Sequence, residues 1–402
     1  MIDEKLIDKC ETELADEFKI LEKTALFNQE KVLNAFKKNK IALRHFVGSS
    51  GYGYGDDGRD TLNRLFADVF KAETAICSPN IVSGTHALSL CLYGVLRPND
   101  TALSISGGVY DTLNDVIKGE NNGSLKDFGI NFECVDLKGG DFDYTAIKQK
   151  LTELKPKMVY IQRSRGYEWR NAISVSQIEK VVGFLRENGF DGCIMLDNCY
   201  GEFTEKQEAT EIGVNLAAGS LIKNAGGGIA PTGGYVVGDK NYVDMVANRL
   251  TAPSIGGEVG SYMFGYQYFY QGLFLAPHTV LQALKGVMLF SKVLSELGFK
   301  VSPASHKIPR DIITMIEFGD REKLISFIQS IQENSPVDSN VRVLPWEMPG
   351  YNDPVIMAAG CFVQGASIEL SADAPVKPPF IAYLQGGITY EHCKIALKNL
   401  KL

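Results

Sequence analysis

Three short stretches carry residue types from which a chemical site could be built: "SGTHAL" beginning at Ser83, "MLDNCYGEF" containing Asp197, and "GSLIKNAGGGIAPTGG" around Lys223. Ser83, Gly84 and Thr85 precede a strongly apolar helical run. Free backbone N–H groups and a hydroxyl at a helix start make a cradle for an anion, phosphate above all. An ordinary helix N-cap uses the same residues. Asp197 closes an apolar strand, where a buried carboxylate requires a cation or several hydrogen-bond donors. A protonated pyridine nitrogen is one such cation, and a structural cap on the next helix is the alternative. Lys223 stands between a short apolar run and three consecutive glycines. Its amine is a nucleophile only when neutral, and burial or a nearby cation would lower its pKa toward that state. Gly226 to Gly228 would let backbone approach whatever the amine holds. A solvated loop lysine is the competing reading.

The elements that must position these residues follow from periodicity. Between about residues 60 and 240, short apolar runs alternate with helical patterns. Strands are expected at 101–106, 132–137, 158–162, 192–197 and 234–239. Stretches such as "DYTAIKQKLTEL" and "SVSQIEKVVGFLRENG" have the apolar spacing of helices. This alternation predicts an α/β chain with a mainly parallel sheet, helices on both faces, and ligands collecting at the carboxyl ends of the strands. Residues 1–47 read as a helical N-terminal arm, 48–275 as a large domain, and 276–402 as a bridging helix with a smaller C-terminal α+β domain. The bridging helix is expected over 279–298, after Pro277, with Thr279 as N-cap and Gly298 as terminator.

Composition excludes several function classes. The 402 residues carry 48 acidic and 41 basic side chains, a net charge of -7, with no basic cluster for nucleic acid or anionic lipid. The charged start "MIDEKLIDKCETELADEFKI" has no apolar core of a secretory signal, and no other apolar segment reads as a membrane span. Eight dispersed cysteines without a CxxC pair, and five histidines without ligand spacing, argue for reduced thiols in a cytoplasmic protein and against a metal site. The glycine run is not a nucleotide loop of either common kind, because G-x-x-x-x-G-K-[ST] is absent and no GxGxxG follows a strand.

Anion cradle, strand-end Asp and glycine-flanked Lys together supply what pyridoxal 5'-phosphate requires: an anchor for phosphate, a partner for the ring nitrogen, and an amine for the aldehyde. Their order, with Asp197 26 residues before Lys223, resembles the fold type I pyridoxal phosphate enzymes. More narrowly, "GSSGYGYGDDGRDTLNRLFADVF", "SGTHAL", "MLDNCYGEF", "GSLIKNAGGGIAPTGGYVVG" and "QGGITYEH" resemble the cystathionine/methionine gamma-lyase superfamily. The branch most similar is that of the aluminium resistance, or methionine gamma-lyase-like, proteins.

That resemblance implies a carbon–sulfur lyase that eliminates a thiol from methionine, cystathionine or a cysteine conjugate. It implies Lys223 as Schiff-base residue and proton shuttle, and Asp197 on the pyridine nitrogen. Ser83, Gly84, Thr85 and Ser220 would hold phosphate, and Tyr110 would stack on the ring. Tyr54 and Arg59 would complete the phosphate site of a neighbouring subunit, in a dimer with shared active sites that commonly pairs into a tetramer. Two positions depart from the superfamily pattern. Ile222 replaces a hydroxyl residue before the lysine, and the last arginine is Arg342. Candidates for the substrate carboxylate are then Lys377, Arg165 and Arg163. An aminotransferase or γ-replacement synthase would use the same Lys and Asp, whereas a non-catalytic phosphate- or nucleotide-binding protein would use only the anion loops.

Overall fold

The structure, a computed structural model, describes residues 2–348 and 353–402. Strands β1 (Thr74–Ser78), β2 (Thr101–Ser104), β3 (Asn131–Cys134), β4 (Met158–Gln162), β5 (Cys193–Asp197), β6 (Leu216–Ser220) and β7 (Gly234–Gly238) form one sheet in the order β1-β7-β6-β5-β4-β2-β3. Strands β2 to β6 pair in parallel, while β7 runs antiparallel to both of its neighbours. Strands β4 and β5 are buried along their whole length. Val159, Ile161, Ile194 and Leu196 enter the core on one face, and Met158, Tyr160 and Met195 enter a separate core on the other. Two-sided burial explains why these strands read as continuous apolar runs rather than alternating ones. The result is the expected α/β architecture.

Two strands escaped the periodicity reading, β1 and β6. The β6 sequence "LAAGS" has almost no β-branched or aromatic side chain, so its strand character comes from its two partners and not from propensity. Small side chains are obligatory there. A Cβ on Gly219 would lie 2.6 Å from Glu202 Oε1 and 2.7 Å from the Tyr235 ring. The strand that delivers Lys223 is therefore built from residues that leave no sequence signal.

Five further strands, β8 (Lys300–Ser302), β9 (Ile313–Glu317), β10 (Val355–Ala358), β11 (Ser371–Pro375) and β12 (Ile381–Gln385), form an antiparallel sheet in the order β10-β11-β12-β9-β8. Between the sheets runs a helix from Gln267 to Glu296. Its start differs from the expected 279, because Pro277 lies inside the helix and the N-cap is Tyr266. Proline removes its own N–H from the ladder, but Phe269, Tyr270, Leu273 and Ala276 before it are as buried as Val280, Ala283 and Leu284 after it. Packing on both sides holds the helix through the break. Thr279 is consequently no cap; its hydroxyl donates to the carbonyls of Gly227 and Leu275, both at 3.2 Å. The helix is also long and apolar enough to cross a membrane, contrary to the expectation that no such segment exists, yet 67% of its apolar window is buried inside the protein. It is a core helix. The N-terminal helices Glu4–Glu13 and Ala15–Lys38 lie on this same chain, with the Ile2 amide donating to the Lys398 carbonyl.

The glycine run after Lys223 serves that packing. Gly227 has φ +59°, and a Cβ there would meet the Gly272 carbonyl oxygen at 2.3 Å; a Cβ on Gly272 would meet the Gly226 oxygen at the same distance. A Cβ on Gly228 would press on Ile388 at 2.9 Å. Gly227 and Gly228 thus admit the long helix and the segment after β12, and Gly226 admits the loop's own backbone at Leu221, rather than room for a ligand. Gly227→Ala combines a left-handed backbone with a steric clash, so we expect a loss of about 2–4 kcal/mol, read as an earlier midpoint in urea unfolding.

Candidate active site

The carboxyl ends of β4, β5 and β6 and the start of the helix Gly84–Val95 face the second sheet across a cavity of about 330 Å³. Ser83, Gly84, Thr85, Tyr110, Asp197, Ser220 and Lys223 all line it. Seven of the sequence candidates are therefore brought together.

Ser83 caps its helix, accepting from the His86 amide at 3.0 Å. The first-turn N–H groups of Gly84 and Thr85 have no acceptor within the helix. Ser220 ends β6 with its hydroxyl buried and unpartnered. A phosphate would satisfy both kinds of orphan donor. Asp197 is 4% exposed and receives the Cys199 amide on Oδ1 at 3.0 Å and the Tyr160 hydroxyl on Oδ2 at 3.4 Å. Burial raises its pKa, and the charge of Lys223 pulls it back. With only the weak Cys199 thiol as a further donor, the buried carboxylate is short of partners, which suits a cationic ring nitrogen. The donor set and its unpaired atoms fit pyridoxal phosphate.

Lys223 follows the end of β6 and places its Nζ 4.2 Å from the centre of the Tyr200 ring. No ion pair is made by this ammonium among the described residues. Burial works against its charge, but Cys199, Tyr200, Asp197 and Glu202 surround it, and the balance raises the pKa. This is the reverse of the expected lowering. Cys199 and Tyr200 are themselves kept neutral by burial near pH 7, so the groups that can carry negative charge beside the amine there are Asp197 and Glu202.

The turn between Asp197 and Lys223 is held by Arg163. Its guanidinium donates to Asn198 Oδ1 and the Gly201 carbonyl, both at 2.9 Å, and pairs with Glu205 at 2.7 Å. Within that turn Tyr200 and Phe203 have left-handed φ values of +68° and +61°, a strained conformation for aromatic residues. Tyr200 is tied to the second sheet's domain by a 2.7 Å hydrogen bond between its hydroxyl and Ser367.

None of the three candidates for the substrate carboxylate is free for that role in this cavity. Arg163 is consumed by the turn. Arg165 is fully buried in a fork-to-fork pair with Asp311, at 2.9 and 3.0 Å. Lys377 pairs with Asp353 at 2.6 Å and, like Arg165, lines an adjoining cavity of about 240 Å³ instead. Tyr54 and Arg59 also lie outside the Lys223 cavity. Tyr54 is 68% exposed on its loop, and Arg59 is engaged by the Gly53 carbonyl at 3.0 Å and by Asp60 at 2.9 Å.

Several lining residues were not singled out from the sequence. Tyr200 was hidden inside the Asp197 motif, and Asp373 inside "SADAPV", a strand whose flanking alanines advertise burial. Glu202 is fully buried beside this turn, with Oε1 accepting from Tyr235 at 2.7 Å and Oε2 unpartnered. Burial raises its pKa to about 7.

The sequence profile of the methionine gamma-lyase family matches residues 3–401. The uncharacterized protein YnbB of Bacillus subtilis is 47% identical over 393 residues, 97% of this chain and 93% of that protein. A solved structure of a candidate cystathionine beta-lyase involved in aluminum resistance, from Listeria monocytogenes, is 46% identical with a TM-score of 0.96 and covers 99% of this chain and 98% of its own. A carbon–sulfur lyase involved in aluminum resistance, from Clostridium novyi, is 48% identical with a TM-score of 0.94, covering 98% and 94%. A more distant likeness in fold alone, 17% identical with a TM-score of 0.63 over 94% of this chain and 96% of the other, is to the pyridoxal-5'-phosphate dependent protein YhfS of Escherichia coli.

The buried Glu202 has a measurable consequence. Burial raises its folded-state pKa from the ordinary 4.5 to about 7, so the native state holds this proton more tightly than the unfolded chain. Ionisation therefore costs stability as pH climbs from about 4.5, reaching a plateau of ~3 kcal/mol above pH 7. Glu202→Gln removes that cost. Its melting temperature should exceed that of the parent at pH 8 and converge with it at pH 4.

Proposed function

The chain belongs to the methionine gamma-lyase family, and from that premise we propose that it is a pyridoxal phosphate-dependent carbon–sulfur lyase that releases a thiol from a sulfur amino acid. One observation carries the reading: Lys223, Asp197, the orphan hydroxyl of Ser220 and the helix start at Ser83 share a single cavity between the two sheets. When bound, the cofactor's protonated pyridine ring accepts the electron pair left at the substrate's Cα.

The protein's own groups supply the rest. The Asp197 carboxylate, deprived of water, would favour a proton on the ring nitrogen. First-turn N–H groups of Gly84 and Thr85, with the hydroxyls of Ser83 and Ser220, would hold the phosphate. Lys223 would be the attachment point, and its free Nζ would take the α-proton and later return a proton. The Tyr200 ring beneath Nζ keeps the amine in place as its charge changes. Met348, Met357, Ile313 and Leu113 give the cavity an apolar wall suited to methylene and thioether groups. The C–S bond breaks as the thiolate departs with a proton, and the remaining carbon skeleton hydrolyses to a keto acid and ammonia.

A second copy of the chain would complete the site through Tyr54, exposed on its loop, and Arg59, in a dimer or tetramer. We place the enzyme in the cytoplasm.

The reading is tested on purified protein loaded with pyridoxal phosphate. A visible absorption band should appear, and borohydride should fix the cofactor's mass on the peptide containing Lys223. Lys223→Ala should lose the band and at least roughly 10²–10⁴-fold in rate. Incubation with S-alkylcysteines, cystathionine and methionine should release thiol, keto acid and ammonia. Amino transfer to an added keto acid without thiol, or an active colourless wild type, would refute it.

A further inference from the structure

We propose that Asp373 is a specificity-determining residue of this site, selecting sulfur amino acids whose departing half carries an ammonium group. The proposal rests on the lyase reading above, and it concerns the part of the substrate that leaves rather than the part that reacts.

Lys223 is the one lysine or arginine among the described residues lining the cavity. Its carboxylates are two. Asp197, at the end of β5, is accounted for by the cofactor. Asp373 is not. It projects from β11 of the second sheet, where its Oδ2 accepts the Tyr167 hydroxyl at 3.0 Å. Its Oδ1 is shielded from solvent and has no hydrogen-bond partner. Gln385, across the neighbouring β12, also lines the cavity, and its side-chain amide draws the Asp373 pKa down without reaching hydrogen-bond geometry at Oδ1.

Burial drives the Asp373 pKa up to about 6, and hydrogen bonding with Tyr167 limits the rise. At neutral pH the group is therefore mainly ionised, with one oxygen satisfied. A shielded carboxylate left half-paired is costly. Lys223 compensates it at a distance only while its nitrogen remains charged, and in the loaded enzyme that nitrogen would be engaged by the cofactor. Nothing else among the described lining residues brings positive charge. The remaining source is the ligand.

The same charge works against alternatives. A substrate ending in a lone carboxylate or sulfonate would be repelled, and a neutral alkyl group would leave Oδ1 unpaired. An ammonium on the leaving half, with its thioether along Met357 and Ile313, pairs with it in a setting of low dielectric, where such a contact is strong.

Two isosteric substrates separate these cases: S-(2-aminoethyl)-L-cysteine and S-propyl-L-cysteine, which differ by an ammonium in place of a methyl. With the loaded wild type, kcat/KM for thiol release should favour the aminoethyl compound by about 10- to 100-fold. In Asp373→Asn that ratio should fall to within about threefold of unity, while the visible band of the bound cofactor persists. A wild-type ratio near or below unity, or a preference retained in Asp373→Asn, overturns the proposal. If neither compound yields thiol from the wild type, cystathionine and methionine decide the lyase reading, and thermal shift of the loaded protein decides Asp373 separately. A larger shift with the aminoethyl compound that disappears in Asp373→Asn supports the role, whereas equal shifts for the two compounds end it.

Discussion

Everything at the candidate site depends on one close approach, that of the backbone after Lys223 to the long helix at Gly272. Carbonyl and Cα meet there at distances no side chain would tolerate, 2.3 Å from a Cβ built on either glycine. The contact fixes the loop's height above the end of β6, and with it the position of the amine. It also explains why the helix continues through Pro277: the segment before the proline is the one that carries Gly272. Removing that half-helix would leave the lysine loop without a floor.

Electrostatics are organised around the same point. Two buried arginines lie near the site, yet both are spent on structure, Arg163 on the turn after Asp197 and Arg165 on Asp311. Breaking a buried pair leaves an uncompensated charge and is costly, so neither guanidinium is available to a ligand without disturbing the scaffold. The cavity is left with acidic groups converging on one lysine. That balance favours the protonated form of the amine.

Much of this was legible in the amino-acid sequence. Lys223, Asp197 and the Ser83 helix start announce themselves because each breaks an apolar run with a reactive or hydrogen-bonding group, and strands β4 and β5 are long apolar runs. The strand β6 was not legible, because Gly219 and its alanine neighbours are selected by the bulk of Glu202 and Tyr235 pressing on them, a tertiary constraint without local signature. The start of the long helix was misread because a proline rule applied locally yields to packing that spans both sides of it. Arg165 looked like a free cation for the simple reason that its partner Asp311 lies 146 residues away. Asp373 was overlooked because only the second sheet's placement opposite Lys223 gives it a role.

Tyr200 joins the two halves of the molecule. Its ring lies under the Lys223 amine, its backbone is strained by the turn that Arg163 grips, and its hydroxyl reaches Ser367 beyond β10. The support of the Lys223 amine is therefore a strut between the turn after β5 and the segment that links β10 to β11. A shift of the segment around Ser367 would therefore pull on the side chain that lies against the amine.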